Sequence, residues 1–266
     1  MSSEVTQRSF FSDFKRYSPL LWNLAVKDIK IKYRRSFLGI AWSILNPLFT
    51  MVVLTSVFTM ILRATVDNFP TFYIIGASIW SFFAESTTLA MTSIICSASL
   101  IKKVYVPKYM FPVEKCIFAL INYLFSLLAV FFVMIIQGVY PTPTTFLAVL
   151  PIIYCFVFCC GFSLILSALT VFFRDISHLY SVLLTLWMYL TPILYSVDFL
   201  EGHKLLYNIV KFNPMKYYVE YLRDVMMYNT VPGLKMNLIC IGFAVLFLAV
   251  GSFIFKKCEG KFILHI

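Results

Sequence analysis

The chain is poor in charge. Only 13% of its 266 residues are Asp, Glu, Lys or Arg, against 61% hydrophobic and 18% aromatic. A soluble domain of that balance would expose more apolar surface than water tolerates. Acids are scarcest, with 12 Asp and Glu against 22 Lys and Arg and a net charge of +10. The basic excess does not point to nucleic acid, because the cations flank apolar runs and form no continuous stripe. Histidine numbers three, and neither His178 nor His203 has a partner at metal-ligand spacing. The seven cysteines form no Cys-x-x-Cys pair and no Cys/His pattern, so neither a zinc site nor a disulfide framework is expected. Six of them, Cys96, Cys116, Cys155, Cys159, Cys160 and Cys240, sit in or beside apolar runs and read as small apolar side chains. A GxxxxGK[ST] phosphate loop is missing, since the one Gly-Lys pair, Gly260-Lys261, is followed by Phe262. This chain is therefore not expected to hydrolyse ATP. No secretory leader is expected either, because Met1 to Phe10 has no apolar core and no small-residue cleavage site.

What is present is a series of apolar runs of about 20 residues each. Six can be read: Leu38 to Leu62 with a break at Asn46-Pro47, Thr71 to Ser97, Pro112 to Gly138, Phe146 to Phe173, Ser177 to Tyr195, and Met236 to Phe255. In hydrocarbon each segment must satisfy its own backbone, and the alternation of a barrel strand is not seen. The expectation is an all-α integral membrane protein with six transmembrane helices. Residues 1–37 form an N-terminal cytoplasmic segment, 38–255 the membrane domain and 256–266 a basic cytoplasmic tail. Lys and Arg concentrate in the N-terminal segment, in the loop after the second run (Lys102, Lys103, Lys108, Lys115) and in the tail. Fewer lie on the other side, Lys204, Lys211 and Arg223 among them. This places both termini in the cytoplasm.

The stretch from Leu20 to Pro47 organises the chain. Trp22, Val26, Ile29, Tyr33 and Phe37 share one helical arc, and Lys27, Lys30 and Arg34 share another. Such a helix lies in a membrane interface, and it also reads as a positive-inside anchor before a span. The loop from Ser99 to Pro112 sets Leu100, Ile101, Val104 and Val106 around Lys102 and Lys103. Apolar side chains there need either a partner protein or lipid. After the fifth run, the short apolar Leu205 to Val210 and the helix start at Asn213-Pro214 predict short outer helices between spans five and six. These are re-entrant, or they cap the spans.

Four segments then fall in order along nearly the whole chain. They are KDIKIKYRRSFLGIAWSILNPL (Lys27 to Leu48), LIKKVYVPKYMFP (Leu100 to Pro112), FFRDI (Phe172 to Ile176) and FNPMKYYVEYLRD (Phe212 to Asp224). Together they resemble the permease subunits of type-2 ABC exporters, specifically the polysaccharide class. The resemblance implies a transporter subunit rather than an enzyme, a homodimer in the bacterial inner or plasma membrane. It implies two copies of a separate ATPase, which hold the ATP and Mg. The implied substrate is a glycan on a polyprenyl-pyrophosphate carrier, such as O-antigen or a teichoic acid precursor, admitted between the first and fifth spans. By the same resemblance Leu100, Ile101, Lys102, Lys103, Val104 and Tyr105 dock the ATPase, and the N-terminal helix touches it. The loop departs from the family in having Ser97-Ala98-Ser99 where an Asn is frequent.

Other candidates come from the residues themselves. Arg34 and Arg35 sit where the interfacial helix turns into the first span, and guanidinium groups bind phosphate bidentately. They are candidates for the carrier headgroup, with nonspecific attraction to anionic lipid as the alternative. Glu85 is a carboxylate in the middle of a run, and such a group faces a bundle interior or water. Trp80, Phe82, Phe83, Trp187 and Tyr189 are candidates to line a glycan path with Glu85, or else to pack and anchor. Two further classes stay open: an ABC permease for a drug or small lipid, and a lipid-linked glycosyltransferase. The second needs clustered carboxylates at one face, and Asp28, Glu114 and Asp175 form no such motif in sequence.

Overall fold

Long apolar runs bounded by Pro, Gly and basic residues fold as helices. The computed structural model describes residues 10–34, 38–60, 68–104, 106–200, 202 and 204–265, and among them there is no strand. In chain order the α-helices are α1 (Phe10–Tyr33), α2 (Ala41–Met60), α3 (Phe69–Cys96), α4 (Ala98–Ile101) and α5 (Met110–Ile136). There follow α6 (Val149–Phe172), α7 (Ile176–Leu190), α8 (Lys204–Lys211), α9 (Pro214–Met226), α10 (Leu234–Cys258) and α11 (Phe262–His265). Among the described residues five stretches are long and apolar enough to cross a membrane: Ala41–Thr59, Phe69–Cys96, Met110–Ile136, Pro143–Phe172 and Leu234–Leu264.

The fifth run differs from the expectation of one helix from Ser177 to Tyr195. α7 has 15 residues, about 22 Å of helix against the roughly 30 Å of a hydrocarbon core. The cause is Pro192, which lacks an N–H and forces the residue before it out of the helical region. Thr191 accordingly has φ −93° and ψ 131°. The expected break at Asn46-Pro47 is not a break, because α2 runs through Pro47. Only the bond from residue 47 to the Ser43 carbonyl is lost that early in the helix.

α3 is the central helix, packed against α5, α6 and α9. Phe83 is fully buried among Phe158, Phe162 and Trp187, with ring centroids 5.7, 5.8 and 5.0 Å away. α6 and α10 meet backbone to backbone. A Cβ on Gly251 would lie 2.1 Å from the Gly161 carbonyl oxygen, and one on Gly161 would lie 2.4 Å from the Leu248 nitrogen. Small residues at membrane helix contacts permit this closeness. α2 stands apart: it packs on α3 and α5 along one edge, and among its described side chains Met51 alone is buried.

Candidate functional site: a docking end and a polar cavity

One end of the bundle gathers α1, the α3–α5 connection and the C-terminal segment. α1 lies along α5 with Leu21 and Ala25 buried, and Leu21 packs on Val106, Met110 and Phe111. Asp28, one turn further along the same face, pairs with Lys115, which also reaches Glu114 at 3.1 Å. Sequence reading treated Asp28 and Glu114 as unrelated, whereas the fold brings both to one lysine. The signal was present in the spacing 21, 25, 28, 32, an inward seam beside the aromatic arc. Of that arc Trp22 points outward, 58% exposed, and Lys27, Lys30 and Arg34 are exposed as expected.

In the connection, α4 is capped by backbone alone: the Ser97 carbonyl accepts from Leu100 and Ile101, and the Ser97 side chain makes no cap. Leu100 is 37% exposed and Val104 51%, with Lys102 and Lys103 also on the surface. Ile101 turns inward and packs between the α1 cluster and the cluster of Ile94, Val171, Phe255 and Phe262. Val106 is buried. The six-residue docking candidate therefore presents Leu100, Lys102, Lys103 and Val104 outward and holds Ile101 within; Tyr105 lies outside the described residues. Lys108 donates to the Glu259 carbonyl at 2.5 Å, tying the connection to the C-terminal segment.

Past its seam, α1 delivers Lys32 and Tyr33 to a cavity of about 420 Å³ between α2, α3 and α5. Lys32 Nζ donates to Glu85 Oε1 at 2.9 Å, and Asn122 Nδ2 donates to the same oxygen at 3.0 Å. The Tyr33 hydroxyl donates to Asn122 Oδ1 at 3.1 Å, and it also contacts the Ser43 hydroxyl. Glu85, isolated in the sequence, thus acquires an ammonium and an amide. Arg34 follows as an exposed turn residue whose N–H bonds the Lys30 carbonyl, and Arg35 lies outside the described residues.

A smaller cavity of about 160 Å³ shares Tyr73, Ala77 and Ser81 with the first and extends to Leu54 of α2 and to Met188, Tyr189 and Tyr195. The path candidates divide accordingly. Phe82 and Glu85 line the larger cavity, Trp80 and Tyr189 line the smaller one, and Phe83 sits in the aromatic core. Trp187 packs against Phe83 and donates from Nε1 to Asn213 Oδ1 at 2.8 Å.

The opposite end is closed by α9. Asn213 caps it, accepting the Met215 N–H at 3.0 Å, while its amide donates to the Leu190 carbonyl and to Thr191 Oγ1. One side chain so starts α9 and finishes α7. Arg223, counted in sequence among the outward cations, is instead buried, 3% exposed. Its guanidinium donates to the carbonyls of Phe72 (3.1 Å), Pro192 (2.7 Å) and Ile193 (3.0 Å), and it stacks 3.3 Å over the Phe72 ring. The break after α7 exposes carbonyls that only such a donor can answer in an apolar setting. Lys204 and Lys211 are exposed on α8.

With this geometry in place, the chain can be set beside known proteins. The family described as ABC-2 type transporter matches residues 19–227. The O-antigen export system permease protein RfbA of Myxococcus xanthus is 29% identical over 247 residues, covering 93% of this chain and 95% of that protein. Two proteins of the same description from Klebsiella pneumoniae are 29% and 30% identical, each covering 91% of this chain and 93% of its own length.

Proposed function

Because the chain belongs to the ABC-2 type transporter family, we propose that it is the membrane permease of an ATP-driven exporter. Its cargo on this reading is a polysaccharide carried on polyprenyl pyrophosphate, moved outward from the cytoplasmic leaflet of the bacterial inner or plasma membrane. The observation that carries the reading is similarity along nearly the whole length to permeases named for O-antigen export. ATP and Mg belong to a separate ATPase subunit, two copies of which serve two copies of this chain. The end that carries α1 is cytoplasmic on this reading. There Leu100 and Val104, exposed beside Lys102 and Lys103, supply an apolar and basic knob for the ATPase. Arg34 and Arg35 grip the carrier pyrophosphate at the leaflet surface. Two sparsely buried helices, α2 and α7, face the second copy, and the smaller cavity lies between them.

The test is made in cells lacking this chain. Surface glycan, read with an impermeant lectin or antibody, is expected to vanish while lipid-linked glycan accumulates inside. Restoring the chain is expected to restore export, and restoring it with Arg34→Lys and Arg35→Lys is not, because Lys keeps the charge but loses bidentate geometry. Undiminished surface glycan in the deletion overturns the reading. Full export by the double variant returns the two arginines to general membrane attraction.

A further inference from the structure

The larger cavity is walled by helices that belong in hydrocarbon, yet its walls are polar. α2 presents Ser43, Asn46 and Thr50 to it, spaced as one helical face. α3 presents Ser78, Ser81 and Glu85, and α5 presents Asn122 and Ser126. Three polar stripes on apolar helices, converging on one space, are costly in a membrane unless a polar occupant meets them. The volume, about 420 Å³, is that of a small-ligand site.

Charge and hydrogen bonding narrow the occupant. Lys32 and Glu85 neutralise one another at 2.9 Å, so the cavity offers an ionic ligand no net attraction. Thr50, Ser78 and Ser126 give their protons to carbonyls of their own helices, which leaves oxygen lone pairs facing the space. Asn46 and Ser81 bring an amide N–H and a hydroxyl to the same space. Tyr123 is 3% exposed, its hydroxyl shut in beside Ser78. Around these groups stand the rings of Trp42, Tyr73 and Phe82. The required ligand is uncharged, both gives and accepts hydrogen bonds, and has apolar C–H faces to lay on rings.

We propose that this cavity is a binding site, within a single subunit, for one uncharged sugar residue. The choice of a sugar among neutral polyols rests on the polysaccharide reading. Glu85 and Asn122 take hydroxyl protons, Asn46 and Ser81 donate to a ring or hydroxyl oxygen, and the aromatic faces cover the pyranose. Specificity for one residue of the glycan then resides in the permease.

The full-length chain in lipid nanodiscs is titrated with a panel of neutral methyl glycosides, with phosphocholine, inorganic phosphate and glycerol alongside. Ligand-detected NMR reads the binding. At least one glycoside is expected to bind saturably. Asn46→Leu is expected to weaken it about five- to ten-fold, the size of one hydrogen bond. Ser81→Trp, which fills the cavity from an exposed wall position, is expected to abolish it, and Ala77→Trp is a second plug if the first does not reach the membrane. Binding undiminished by the plugs, saturation by phosphocholine or phosphate alone, or no saturation by any glycoside overturns the site. Glycoside binding in a chain whose deletion leaves surface glycan intact would sink the export reading and spare the site.

Discussion

Arg223 answers three backbone carbonyls with one side chain. Burial pushes its guanidinium down to about 9, which leaves it protonated at neutral pH with every donor in place. Gly76 makes the room, since a Cβ there would lie 2.7 Å from Nη2. Arg223→Lys keeps the charge and loses the planar fork, so at least one buried carbonyl is orphaned at about 1–3 kcal/mol. A clear fall in the thermal midpoint of the detergent-purified protein is expected, and an unchanged midpoint would refute the role. None of this was legible in the sequence, where counting Lys and Arg treats each as a solvated charge and cannot see carbonyls freed elsewhere by Pro192. Asn213 was legible in part. Asn before Pro announced a helix start, and the cap is there, but its bonds to Trp187, Leu190 and Thr191 depend on where α7 ends.

At the scale of elements, the apolar runs made the helices legible because a helix in hydrocarbon is specified by composition and length alone. Their contacts were not, because apolar faces are interchangeable until side-chain volumes are fitted together. The α3–α5 connection illustrates the difference. Sequence placed Leu100, Ile101 and Val104 on one exposed loop, whereas the structure turns Ile101 inward. Leu100→Asp with Val104→Asp is therefore expected to abolish co-purification of an ATPase without lowering the thermal midpoint, and Ile101→Asp to lower the midpoint itself. Equal destabilisation by both changes would remove the distinction between knob and core. The α6–α10 contact makes a second forecast. Gly251→Ala forces a methyl into the Gly161 backbone, an overpacking of about 2 kcal/mol or more. Chemical unfolding should show the loss, and a wild-type profile would mean the helices separate freely.

For the whole molecule, the two ends differ in kind: one carries exposed cations and an apolar knob, the other a buried helix under exposed α8. Single cysteines at Lys204 and Lys211, in a chain without its native cysteines, are expected to react with an impermeant reagent in intact cells. Reaction only after membrane disruption reverses the orientation read from the Lys and Arg distribution. The cavities were not legible in the sequence, since each polar stripe looks harmless on its own helix and gains meaning only when three converge. The glycine notch between α6 and α10 also has a meaning in time. Some sixty residues must be synthesised after α6 before α10 begins, which at about 5–20 residues per second takes several seconds. Through that interval the carbonyl at Gly161 and the groove around it wait in the bilayer without their partner. The nascent chain is then at its most vulnerable to membrane proteases and most in need of an insertase that shelters half-built bundles.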